Sequence, residues 1–395
     1  MVRARAMHLF RTGKSYYLNA ERRLIESIDR SSNKLPAWQA GIWCWLLSSF
    51  LSGPRFNTWD WATIHGLRSG DYLRLCQNPL ARDLTEPILA YRLTLPTIVW
   101  VLNLPALAAL ALPMIINVAF LGFSFHLVRR RAGGVTATLA TVMISLSWGF
   151  LPSNWMPGEF TDTVSHLCSV LLLLSTNPAG VVLWVLLGLF NDERTILALP
   201  FIFLWHFPPA FTPGWLRGSA RWLTAATTAV GIYLLLRHAL AAGWIGPGIN
   251  TPAIYQEFGA TITHLQPRIG SWETWALDVV WSFRWSWLII AAYVGLLAAR
   301  FRWLSLFTFT GALIAGTLLS GLVLDIGRSI GFMLPAWFLA VAGLQAEDES
   351  RARVFLWRVV LALIVTPVIY YVDSAHPLWE SPLPFVIWPG LRHFL

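Results

Sequence analysis

Between Pro105 and Val128 the chain carries no Asp, Glu, Lys or Arg, and similar apolar runs recur along most of its length, separated by short arginine-bearing segments. A run of ~20 apolar residues crosses the hydrocarbon core of a bilayer as a helix. Only a helix or a closed barrel satisfies its own backbone polar groups there, and these runs lack the alternation of barrel strands. The expected fold is therefore all-α, a polytopic transmembrane helical bundle. Composition agrees, since 56% of residues are hydrophobic and 12% charged, whereas about a quarter are charged in soluble domains. The net charge of +9 is carried mainly between the apolar runs. There, basic residues set orientation and meet anionic headgroups, so nucleic acid is excluded as a partner.

Residues 1–35 hold Arg3, Arg5, Arg11, Lys14, Arg22, Arg23, Arg30 and Lys34 without an early apolar core, and read as a cytoplasmic amphipathic arm rather than a signal peptide. The bundle is expected over 36–372, with about eleven spans: 36–52, 105–128, 134–151, 163–176, 179–190, 195–207, 222–240, 276–299, 303–324, 329–345 and 359–372. This count puts the basic clusters at 129–131, 217–221, 300–302 and 351–358 on the cytoplasmic side of a bacterial inner membrane. The segment 346–358 is then a charged inner loop. Long loops at 53–104 and 241–275 and the tail 373–395 fall on the extracytoplasmic side, with interfacial helices expected at 88–103 and around 253–265. Tryptophans such as Trp38, Trp43, Trp272, Trp275, Trp303 and Trp379 sit near span ends, as an aromatic belt requires.

The first outer loop departs from this economy. It holds Asp60, Asp71, Asp83 and Glu86 among Arg55, Arg68, Arg74, Arg82 and Arg92. The same side of the membrane receives Glu159 and Asp162, then Asp192, Glu193 and Arg194, then Asp325 and Arg328. Ionisable groups at membrane depth cost ~2.5–3.5 kcal/mol each on insertion scales, so they face cavities and pair with one another. Two readings follow: ion pairs that staple helix ends, or a site. Carboxylates beside guanidinium groups suit glycosyl transfer from a lipid-linked phosphate. Arginine holds the phosphate bidentately while a carboxylate takes the acceptor proton. Ion coupling in a transporter would instead want broken helices at mid-membrane and repeated halves, and no internal repeat is visible.

Other chemistry finds little support. Cys44, Cys76 and Cys168 have no metal or disulfide spacing, although Cys76 and Cys168 could meet in space, and no HExxH, GxSxG, Walker A or GxGxxG segment occurs. No metal site and no cofactor is indicated, although a divalent cation is compatible with the carboxylates. His166 on the 163–176 span reads as an interior residue.

The ordered set Gly70-Asp71-Tyr72, Tyr91-Arg92-Leu93 with Pro96, Glu159 to Asp162, Asn191-Asp192-Glu193-Arg194-Thr195, and Asp325 to Arg328 with Pro335 resembles bacterial integral-membrane glycosyltransferases of the GT-C type. The resemblance spans about 36–345. It implies a multi-span bundle with interfacial helices in the first extracytoplasmic loop, an acidic catalytic residue in that loop, and a polyprenyl-phosphate sugar as donor. On this resemblance Asp71 is the catalytic acid/base, with Asp60 competing for the role. Arg92, Tyr91, Glu159, Asp162, Asp192, Glu193, Arg194, Asp325 and Arg328 are the substrate-binding candidates. The partners implied are the lipid-linked donor and membrane lipids. The alternatives are a non-catalytic subunit or scaffold that joins other membrane proteins, and a transporter or flippase of lipid-linked material.

Overall fold

A computed structural model describes residues 23–52, 68–147, 162–209, 213–248, 272–321, 326–371 and 377–380, apart from positions 24, 29, 83, 85, 86 and 367. The chain is helical almost throughout. α1 (Ala37–Ser52), α2 (Arg68–Gln77) and α3 (Thr94–Val101) precede the long α4 (Ala106–Ser145). Then come α5 (Asp162–Leu174), α6 (Pro178–Asn191), α7 (Leu199–His206) and α8 (Pro213–Ala241). The last third holds α9 (Trp272–Phe283), α10 (Trp287–Ala299), α11 (Trp303–Ser320), α12 (Ile326–Gly331), α13 (Leu334–Glu347) and α14 (Glu349–Val365). A two-stranded antiparallel hairpin, β1 (Val368–Tyr371) with β2 (Pro377–Glu380), follows α14.

Among the described residues, four helical stretches are long and apolar enough to cross a membrane: Ala106–Ser145, Arg217–Ala241, Trp275–Ala299 and Trp303–Ser320. Two shorter apolar helices, α5 and α6, lie between them in sequence. Several expected segments are corrected. The 359–372 span stops at Val365, beyond which the chain turns into β1. The charged segment 346–358 is not a loop, because α13 runs to Glu347 and α14 starts at Glu349, its first turn capped by Asp348, which accepts from Arg351 N at 3.0 Å. The interfacial helix expected at 88–103 is a 3₁₀ turn over Pro87–Tyr91 followed by the short α3. The interfacial helix expected around 253–265 lies outside the described residues.

The long α4 is in fact two limbs. Gly133 interrupts it with φ 77° and ψ 172°, a conformation that glycine reaches without strain. The break falls just after Arg129–Arg131, where the sequence predicts a turn. Basic segments gather at this end of the bundle. Arg129 donates from Nη1 to the Leu35 carbonyl at 2.8 Å, Arg131 stacks 4.5 Å over the Trp205 ring, and Arg300 pairs with Glu347. α1 returns along the first limb at backbone contact distance. A Cβ on Gly122 would lie 2.9 Å from the Ala37 carbonyl oxygen, the small-residue packing by which membrane helices approach closely.

The span expected at 276–299 bends at Arg284, which takes φ 52° in a 3₁₀ turn between α9 and α10. Its buried guanidinium reaches the ends of two other helices. Nη1 donates to the Leu146 carbonyl at 2.9 Å, just past α4, and Nη2 donates to Leu363 O at 2.9 Å and to Thr366 O at the end of α14. Helix C-termini leave carbonyls without intrahelical partners, and one arginine here serves two of them. Arg284→Met is therefore expected to lower the unfolding temperature in detergent, by a loss on the order of 1–3 kcal/mol for each buried acceptor left unsatisfied. An unchanged melting profile would show that these helix ends are held by other means.

Candidate functional site

Four separate stretches of sequence bring charge to one buried point. Asp162 is the first residue of α5, where a carboxylate also favours the positive end of the helix dipole. Asp192 ends α6 and begins the next 3₁₀ turn (Glu193–Ala198), its Oδ1 accepting from Arg194 N at 3.0 Å. Arg328 sits in the two-turn α12. Arg92 lies between the Pro87–Tyr91 turn and α3, its own N–H donating to Leu89 O at 2.9 Å. Breaks in regular structure thus deliver Asp192 and Arg92, a short helix delivers Arg328, and the first turn of α5 delivers Asp162.

The contacts form a closed network. Arg328 grips Asp162 Oδ2 with Nε at 2.7 Å and Nη2 at 2.6 Å. Arg194 binds Asp192 twice, Nε to Oδ1 at 2.8 Å and Nη2 to Oδ2 at 2.6 Å, and its Nη2 also lies 3.5 Å from Asp162 Oδ1. Arg92 Nη2 sits 3.0 Å from Asp192 Oδ2, with Nη1 4.0 Å from Asp162 Oδ1. Asp162 and Asp192 are 2% and 1% exposed, so both charges are held away from water. Burial alone would push the Asp192 carboxyl up, but Arg194 and Arg92 outweigh it and hold the group well below the usual carboxylate range. Neither Asp162 nor Asp192, clamped by guanidiniums, is a serviceable general base.

Neighbours rigidify the network. Arg194 Nη1 donates to Ser329 Oγ at 3.2 Å, and its guanidinium lies 4.9 Å over the Phe332 ring. That ring also meets His166, with centroids 4.8 Å apart, and His166 is the interior residue the sequence predicts. Asn191 Nδ2 donates to Ser165 Oγ at 3.0 Å, tying α6 to α5 one residue before Asp192.

Among the described residues the centre holds three arginines against two aspartates. Arg92 is the member with capacity left, since its Nε and Nη1 are buried and make no hydrogen bond among the described residues. Beside it runs an apolar groove of about 440 Å³ between α3 and α6, lined by Leu93, Thr94, Ile98, Val101, Leu187 and Phe190. Leu93 follows Arg92 directly, and Phe190 is two residues before Asp192.

The remaining candidates are distributed as follows. Glu193 lies just outside the network, half-exposed and 3.6 Å from Arg237. Tyr91 is buried beneath the same Arg237, 4.4 Å from the guanidinium carbon. Asp71 is buried near the start of α2. Its neighbours Tyr72, Leu73 and Cys76 pack with Leu95, Val99, Val164 and Cys168, so Cys76 and Cys168 share one apolar cluster, each with a free thiol. Asp60, Glu159 and Asp325 lie outside the described residues. No group of three or more His, Cys, Asp or Glu that could hold a metal ion comes together among the described residues. Arg328 grips Asp162, distant in sequence, while its sequence neighbour Asp325 lies outside the described residues. Arg237, Ser329 and Phe332 were missed. For Arg237 a signal existed, because it is the one Asp, Glu, Lys or Arg in 222–240.

No protein-family model, curated protein or solved structure matches this chain.

Proposed function

We propose that the protein is an integral-membrane glycosyltransferase of the GT-C kind that moves a sugar from a polyprenyl-phosphate donor to an acceptor on the extracytoplasmic side of a bacterial inner membrane. One observation carries the reading: an arginine-rich buried centre in which Arg92 keeps two donor nitrogens without hydrogen bonds, while the next residue, Leu93, lines an apolar groove. A ligand complementary to both features has an anionic head and a long apolar chain. The phosphate would take the free edge of Arg92 and the chain would lie along α3 and α6. Binding of this kind stabilises charge on the leaving phosphate, which is where a positioned cation lowers the barrier for transfer. The acceptor's proton needs a carboxylate to receive it, and by the resemblance of the first loop this role falls to Asp71, or to Asp60. The eleven-span count, with the N-terminus cytoplasmic and the C-terminus outside, belongs to the same reading.

A second reading is favoured by one feature. The charged centre includes Asp192, where α6 gives way to a 3₁₀ turn, and Arg328 in the six-residue α12. Discontinuous helices around buried charges also occur in transporters. Arginine chemistry separates the two. Lysine supplies a point charge and cannot reproduce a bidentate contact, so Arg92→Lys is expected to weaken binding of a polyprenyl monophosphate by about tenfold or more with little change in unfolding temperature. Arg328→Lys is expected to lower stability instead, because the guanidinium is committed to Asp162. Undiminished binding by Arg92→Lys would remove the phosphate role from this residue.

A further inference from the structure

Arg237 lies outside the charged centre, yet everything it touches leads back to it. The guanidinium stacks 4.4 Å over the Tyr91 ring, and Tyr91 immediately precedes Arg92. It lies 3.6 Å from the Glu193 carboxylate, and Glu193 immediately follows Asp192. It also donates to the hydroxyl of Tyr233, one turn earlier on α8. Tyr233 in turn meets Phe190 edge-to-face, with centroids 5.1 Å apart, and Phe190 lines the groove beside Arg92.

Two dipeptides far apart in sequence are thus joined twice. The inner rung is the Arg92–Asp192 ion pair at 3.0 Å. The outer rung is Arg237, which spans from the Tyr91 ring to the Glu193 carboxylate. A planar cation suits this task, since one face stacks on an aromatic ring while the edge nitrogens remain available for a carboxylate and a hydroxyl. Neighbouring contacts reinforce the attachment of the first outer loop to the end of α8: Arg82 Nε donates to the Pro247 carbonyl at 3.2 Å, and Tyr91 packs with Ala90 and Leu240.

The segment carrying Arg92 has little regular structure of its own. A five-residue 3₁₀ turn precedes it and an eight-residue helix follows. Neither element is long enough to be stable by itself, so the position of Arg92 depends on tertiary contacts. The geometry points to Arg237 as a positioning residue that fastens the Tyr91–Arg92 segment to the Asp192–Glu193 segment. In this way it keeps Arg92 seated against Asp192, next to Leu93 of the groove, for the lipid-linked anion. This assignment rests on the transferase reading for the identity of the anion, whereas the fastening itself does not.

The test uses the full-length protein in nanodiscs, with a polyprenyl monophosphate as ligand and hydrogen exchange measured across residues 87–93. Arg237→Met is expected to weaken binding by on the order of tenfold to a hundredfold, the scale on which small misplacements of a binding group act. It is also expected to speed exchange in 87–93. Tyr91→Leu should act in the same way, and the Tyr91→Leu/Arg237→Met double variant should lose far less than the sum of the two. Arg237→Lys keeps the charge opposite Glu193 but not the stacked plane, and should fall between wild type and Arg237→Met. If wild type binds and Arg237→Met binds equally well with unchanged exchange, the positioning role is overturned. If wild type itself binds no polyprenyl phosphate, the transferase reading falls. The exchange data then decide the fastening alone: faster exchange in Arg237→Met supports it, and unchanged exchange overturns it.

Discussion

Asp162→Asn is expected to remove most of the folded, detergent-extractable protein. Asp162 is 2% exposed and has Arg328 at 2.6 Å, Arg194 at 3.5 Å and Arg92 at 4.0 Å. An amide in its place keeps the size but leaves three guanidiniums with Asp192 as their one remaining carboxylate in the described network. Breaking a buried pair by removing one partner costs about 3–5 kcal/mol, because the surviving charge stays buried without compensation. That loss is comparable with much of a protein's net stability. A rescue separates this cause from a packing defect: Asp162→Asn combined with Arg328→Met removes one charge of each sign and should recover a large part of the yield and of the unfolding temperature. A stable single variant, or a double variant worse than the single, would mean that Asp162 is not the counter-charge of this centre.

Asp71→Asn is expected to abolish sugar transfer by the protein that reaches the membrane, because an amide of the same size cannot accept the proton. Loss of a general base costs ~10²–10⁴ in rate. The two central carboxylates cannot substitute, because Asp162 and Asp192 are each committed to arginines. Consumption of a labelled polyprenyl-phosphate sugar by membranes that hold equal amounts of wild type or variant provides the readout. Full activity of Asp71→Asn beside an inactive Asp60→Asn would move the base to Asp60. Full activity of both would end the proposal of first-loop acid catalysis.

Sequence and tertiary structure contributed different parts of this picture. The helical class and the four membrane-length helices were legible because they depend on local properties, apolar run length and the absence of charge. The turn after Arg129–Arg131 was legible for a similar reason, and Gly133 supplies it. The importance of Arg92, Asp162, Asp192, Arg194 and Arg328 could also be read from their type and depth, since each is costly in an apolar setting unless partnered. Their partners could not. Arg328 grips Asp162, far upstream, and nothing in the spacing of the two residues records it. Such pairings are fixed by how α5, α6 and α12 meet, and no periodicity records that.

The same limit explains the other revisions. The bend at Arg284 interrupts an apolar run that reads as one helix, because its carbonyl partners at Leu146, Leu363 and Thr366 come from helices distant in sequence. Residues 346–358 read as a loop from their charge but are helical, since a charged helix end at the edge of a bundle can point its side chains outward. Arg237 shows the boundary most clearly. As an isolated charge in an apolar run it announces that it has a use, whereas the use itself, holding Tyr91 and Glu193 on either side of one guanidinium, exists only after α8, the first outer loop and the α6 terminus have come together. Burial cost is a property of one residue and its surroundings in the chain, while the identity of a partner is a property of the assembled fold.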